Sequence, residues 1–111
     1  MPVLPMLRRR ADFEAIGRNG QARATPQLVL RSMRTERAKS RIGLSTPKSL
    51  GGAVQRNRVR RRLRELVRER LERIGPGWDL LLIARPAAGD ATHAEQGAAI
   101  DALLDRSEIG K

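Results

Sequence analysis

The sequence has no cysteine and no tyrosine, and only one phenylalanine, one tryptophan and one histidine. Without thiols there are no disulfides and no thiolate metal sites, and nothing points to an oxidising compartment. A lone histidine cannot supply a paired acid and base. His93 has no second histidine or partner carboxylate at ligand spacing, so it reads as a surface or cap-region residue. No apolar run approaches the roughly 20 residues needed to cross a bilayer. Met1 to Met6, broken by Pro2 and Pro5, is too short for a signal peptide, so the expected location is the cytoplasm. Acidic residues are scarce: 12 Asp and Glu face 23 Lys and Arg, for a net charge of +11.

A sequence pI near 11.7 marks a chain that attracts polyanions. Its 111 residues fit one domain with a single modest core, expected over residues 1–111, with residues 1–6 and 107–111 as flexible ends. The charge is concentrated: six of the nine residues from Arg56 to Arg64 are arginine. Between and beyond them Val59, Leu63, Leu66, Val67, Leu71 and Ile74 recur at three- and four-residue steps, the pattern of an amphipathic helix with one buried stripe. A helix start carries partial positive charge and favours Asp or Glu, yet Arg56, Arg58, Arg60 and Arg61 crowd it. Phosphates resolve that conflict, because free N–H groups and arginine forks converge on one spot. A membrane surface is disfavoured, since the helix lacks the bulky aromatic face of an interfacial helix.

Around this helix the elements follow in order. A short helix from Leu7 carries Phe13 and Ile16 on one side, is preceded by Arg8, Arg9 and Arg10, and stops at Asn19-Gly20. Residues 21–25 suggest a short strand. Leu28 to Met33 and Arg41 to Ser45 read as an antiparallel strand pair joined by a charged loop. The basic helix is expected to run to Ile74, where Gly75-Pro76-Gly77 ends it. Trp78 to Arg85 is a continuous apolar run suited to a strand buried on both faces and parallel to the strand before the helix. Thr92-His93-Ala94-Glu95 has the form of a capping box for a last helix carrying Ala99, Ile100, Leu103 and Leu104.

Ala53-Val54-Gln55-Arg56-Asn57-Arg58, followed by Arg60-Arg61 and Arg64-Glu65, closely resembles the signature of the bacterial ribonuclease P protein component. Arg41-Ile42-Gly43-Leu44-Ser45 matches the same family's Arg-x-Gly-Leu-Ser wording, and Leu7-Arg8 with Asp12-Phe13 its opening. The resemblance implies an α/β (α+β) two-layer sandwich of order α-β-β-β-α-β-α, with a central mixed sheet and a long basic helix. General chirality makes the strand–helix–strand crossover right-handed, whereas the family is known for a left-handed one.

The resemblance also implies the partners: a catalytic RNA subunit and precursor tRNA, with no membrane and no DNA. By it, Lys48, Arg56, Asn57, Arg58, Arg60, Arg61 and Arg64 face the catalytic RNA. Phe13, Arg31 and Arg9 line a cleft for the 5′ leader. The holoenzyme is an endoribonuclease that forms the mature tRNA 5′ end, its RNA carrying the magnesium ions and the catalysis. Three positions depart from the family: Gly17 and Arg31 stand where further cleft aromatics are usual, and Ser49 replaces a second lysine after Lys48.

The residues alone offer no nuclease constellation on the protein. There is no Gly-rich nucleotide loop and no set of carboxylates at metal-binding spacing, and the acids are interspersed with arginines as ion-pair partners. Another basic RNA-binding protein, such as a ribosomal protein, fits charge and size equally well, and only the Arg-Asn-Arg helix start separates the two. A DNA-binding helix is disfavoured, because the apolar stripe commits one face to the sheet and no dimer-forming heptad follows.

Overall fold

The most apolar run in the chain takes the most enclosed position. In the computed structural model, which describes residues 5–110, β4 (Trp78–Ala84) lies inside a four-stranded sheet of order β1-β2-β4-β3. Its neighbours are β2 (Leu28–Arg34), antiparallel, and β3 (Arg41–Ser45), parallel, while β1 (Gln21–Ala24) pairs antiparallel with β2 at the far edge. The strand pair expected from sequence is therefore corrected: β2 and β3 do not pair, because β4 is inserted between them. Alternation in β2 and β3 offers one apolar face each, whereas β4 is buried at all but Ile83, and a strand buried on both faces belongs inside the sheet.

One face of the sheet holds the main core. Leu28, Leu30, Ile42, Leu80 and Leu82 meet Val59, Leu63, Leu66 and Val67 of α2 (Ala53–Arg68) and Ala99, Ile100, Leu103 and Leu104 of α4 (His93–Arg106). Each fully buried aliphatic side chain there contributes about 1.5–3 kcal/mol. The α4 start is built as expected: Thr92 Oγ1 accepts from Glu95 N–H, and Glu95 Oε1 accepts from Thr92 N–H at 2.9 Å. The opposite face carries α1 (Arg10–Asn19), an addition to the two layers.

The basic helix is shorter than expected. It stops at Arg68, and a separate turn of helix, α3 (Leu71–Ile74), follows. At the break Arg70 N–H donates to Val67 O at 2.9 Å, a tightened turn, and the Arg70 guanidinium takes the Leu66 carbonyl, also at 2.9 Å. The same guanidinium binds Asp101 of α4 at 2.7 Å, so the tertiary ion pair and the break share one side chain.

The chain ends also differ from expectation. Residues 1–4 and 111 lie outside the described residues. Leu7 begins no helix: Leu7 N–H donates to Ile42 O, and Ile42 N–H donates to Pro5 O at 2.9 Å, so residues 5–7 run along the outer edge of β3. After α4, Ser107 and Ile109 are buried, the latter 1% exposed, so residues 107–110 close the core and are not a loose end.

Candidate nucleic-acid interface

The start of α2 is exposed backbone by construction. A 3-10 turn at Lys48–Leu50 leads into Gly51, whose φ of 128° no other residue adopts without strain, and Gly52 is the cap. Gly52 has no side chain to cap with, and the first turn contains no acid. The first amide to find a carbonyl behind it is that of Arg56, bonded to Gly52 O at 3.0 Å. The amides of Ala53, Val54 and Gln55 are thus left without an intrahelical acceptor.

The arginines surround this start on the sides the core leaves open. With Val59, Leu63, Leu66 and Val67 facing inward, Asn57, Arg61 and Arg64 fall at four- and three-residue steps on the outward face, and all three are exposed. Arg58 is exposed further round the same side, beside Val54, and its guanidinium donates to Gln55 Oε1. Arg56 and Arg60 are half-buried on the flank, where Arg60 reaches Thr46 Oγ1 at 2.7 Å and the buried Nε of Arg56 has no partner among the described residues. Lys48 is exposed at the head of the preceding turn. Among the described residues none of Arg56, Arg58, Arg60, Arg61, Arg62 and Arg64 forms an ion pair.

Beyond Arg64 the pattern reverses. Arg68 pairs with Glu65, Arg70 with Glu69 and Asp101, and Arg73 with Asp101 and Asp105. The Arg70 hydrogen bonds hold the Asp101 carboxyl below its ordinary range, and Asp101 in turn raises Arg70. Positive charge is therefore neutralised where the helix meets α4 and left free at its start.

The second candidate surface is the sheet face beneath α1. Arg31, Leu81 and Gly43 are register partners across β2, β4 and β3, and they form one row on it. A Cβ on Gly43 would sit 2.8 Å from Phe13 Cε1, so the missing side chain is what lets the half-buried Phe13 ring rest on the sheet. Arg31 donates to the Gly17 carbonyl at 2.6 Å and to those of Ile16 and Gly20, closing the C-terminal end of α1. Arg41 forks between Asp12 of α1 and Asp79 of β4, at 3.2 Å and 2.7 Å, and the Asp79 hydrogen bond leads the causes that raise its pKa. Arg9 is exposed at the head of α1, and a Cβ on Gly17 would meet nothing within 4 Å. Among the described residues no group of three or more His, Cys, Asp or Glu could hold a metal ion.

Comparison with known proteins decides the family. The ribonuclease P family model matches residues 1–108. The chain belongs to the ribonuclease P protein family. It is 41% identical to the ribonuclease P protein component of Streptomyces avermitilis, with 96% of this chain and 94% of that one aligned. With the component from Clostridioides difficile it is 36% identical over 93% and 91% of the two chains. Among solved structures, the RNase P protein of Staphylococcus aureus superposes with a TM-score of 0.89 at 28% identity, covering 98% of this chain and all of that one. That of Thermotoga maritima gives 0.84 at 26% identity, over 93% and 97%. The chain is thus the protein subunit of the ribonuclease P ribonucleoprotein. Its partners are the RNA subunit and precursor tRNA, and the holoenzyme is an endoribonuclease of tRNA 5′ maturation.

Three supporting residues escaped sequence reasoning. Gln55 donates to Gly89 O at 3.1 Å while accepting from Arg58, and its three-residue spacing from Arg58 was the only available signal. Thr46 as the Arg60 acceptor and Asp79 as the Arg41 acceptor are tertiary contacts with no local signature.

Proposed function

We propose that the start of α2, with Lys48, Arg56, Asn57, Arg58, Arg60, Arg61 and Arg64, docks on the catalytic RNA, and that the sheet face under α1, with Phe13, Arg31 and Arg9, takes the 5′ leader of precursor tRNA. The observation that carries the first assignment is a contrast along the chain: arginines without ion pairs among the described residues from Arg56 to Arg64, beside three amides without an intrahelical acceptor, and ion-paired arginines from Arg68 to Arg73. Such a start binds phosphate through backbone N–H groups and guanidinium forks together. Residues 1–111 act as one RNA-binding domain. The chain contributes positive charge and a cleft, while the RNA supplies the phosphodiester cleavage with magnesium bound to it. Its site of action is the cytoplasm.

Reconstitution tests this. Added to a bacterial ribonuclease P RNA at low magnesium, the protein is expected to restore cleavage of precursor tRNA, and Arg58→Ala with Arg61→Ala to lose most of that rescue. Equal rescue by parent and double variant defeats the assignment of α2.

A further inference from the structure

The two ends of the sheet differ in what they present. Because β3 runs parallel to β4 and leads into Lys48 and α2, the α2 start lies at the Ala84 end of β4. At the other end, where Trp78 opens β4 beside Arg34 and β1 begins opposite Ser32, there is a separate cavity of about 340 Å³. Asn19, Gln21, Arg23, Arg34, Trp78 and Glu108 line it. The Arg34 guanidinium lies over the Trp78 ring, 4.8 Å from its centroid, and the Arg34 side chain is exposed. Arg23 spends its donors on the carbonyls of Ala22 and Arg106, and among the described residues neither arginine forms an ion pair.

We propose that this cavity binds one nucleotide, independently of the α2 surface. A planar cation already stacked on an indole offers its second face to a base, as arginine planes do in single-stranded RNA recognition. Arg23 and Arg34 supply charge for the phosphate, and the amides of Asn19 and Gln21 with the Glu108 carboxylate supply donors and acceptors for base edges. The volume lies within the range of about 300–1,000 Å³ that holds small ligands. The mixture of flat, cationic and amide groups suits a nucleotide better than a bare anion.

The single tryptophan makes the test local, since Trp78 is the only indole and there is no tyrosine. The 111-residue chain is titrated with AMP, adenosine and inorganic phosphate, following Trp78 fluorescence. AMP should give a saturable change, with inorganic phosphate and adenosine each at least about tenfold weaker. Arg34→Ala and Arg23→Ala should each raise the AMP Kd at least about tenfold, and Arg58→Ala should leave it unchanged. The absence of a saturable AMP response overturns the proposal. So does equal affinity for inorganic phosphate, a Kd unaffected by both Arg34→Ala and Arg23→Ala, or a response abolished by Arg58→Ala. Because Arg58 separates the two sites, failure here leaves the α2 reading standing, and failure of the α2 reading leaves this one testable.

Discussion

Removing Arg58 and Arg61 together is the sharpest perturbation of the α2 surface. Both are exposed, and neither has an ion-pair partner among the described residues. Replacing both with alanine should therefore change folding stability by no more than about 0.5 kcal/mol, and relief of like-charge repulsion acts toward greater stability. In a domain of this size that corresponds to a Tm within about 3 °C of the parent, or above it. RNA affinity should behave otherwise. Six cations, Lys48, Arg56, Arg58, Arg60, Arg61 and Arg64, each contacting one phosphate at about 0.7–0.9 per contact, give a log–log salt slope of roughly −4 to −5. A fourfold rise in salt then weakens binding by about 300- to 2,000-fold. The double variant should flatten the slope by about 1.4–1.8 and, at 0.1 M salt, weaken binding by about 25- to 60-fold, taking the electrostatic part to vanish at 1 M. Filter binding to a ribonuclease P RNA across a salt series, with thermal unfolding of the free protein, measures both. An unchanged slope, or a Tm loss well beyond 3 °C, would falsify the claim that these side chains serve RNA and not the fold.

Gly43→Ala places a methyl 2.8 Å from Phe13 Cε1 and should lift the ring from the sheet, reducing the preference for precursor over mature tRNA; an unchanged preference separates Phe13 from the leader. Arg31→Ala should lower that same preference and loosen α1, whose terminal carbonyls it caps, by about 1–3 kcal/mol; leader preference equal to the parent's assigns Arg31 to α1 alone. Gly17→Phe adds a ring four residues from Phe13 where a Cβ meets nothing within 4 Å. It also removes a mid-helix glycine that costs about 0.5–1 kcal/mol, so both Tm and leader affinity should rise, and a fall in both counts against an open cleft there. Arg70 holds the Asp101 carboxyl below its ordinary value, so that pair's stability is complete above the unfolded carboxylate pKa of about 3.9 and is lost as pH falls through the lower folded value. Asp101→Asn should accordingly lose less stability than the parent on acidification from pH 5 to 2, and parallel unfolding curves would refute it.

Every element that carries its own pattern was legible along the chain. The three- and four-residue steps of Val59, Leu63 and Leu66 set the inner face of α2 and so, by subtraction, the outward face of Asn57, Arg61 and Arg64. The capping box at Thr92 and the all-apolar run of β4 were equally local. Pairing was not. Alternation tells which face of β2 and β3 is buried but not which strand lies beside them, and only the assembled sheet shows β4 between the two. Likewise nothing near Arg70 announces a helix break, and the side chain at that break is held by a carboxylate 31 residues away on α4. Burial of Ile109 also needs a partner surface that the last few residues do not contain. Local periodicity and capping are written within a few residues, so the sequence by itself determined the helices, the strands and the crowding of charge at one helix start. The partner of Arg68 is local, Glu65 three residues before it, but Asp101 and Asp105 reach Arg70 and Arg73 from α4, and only the tertiary structure decided that.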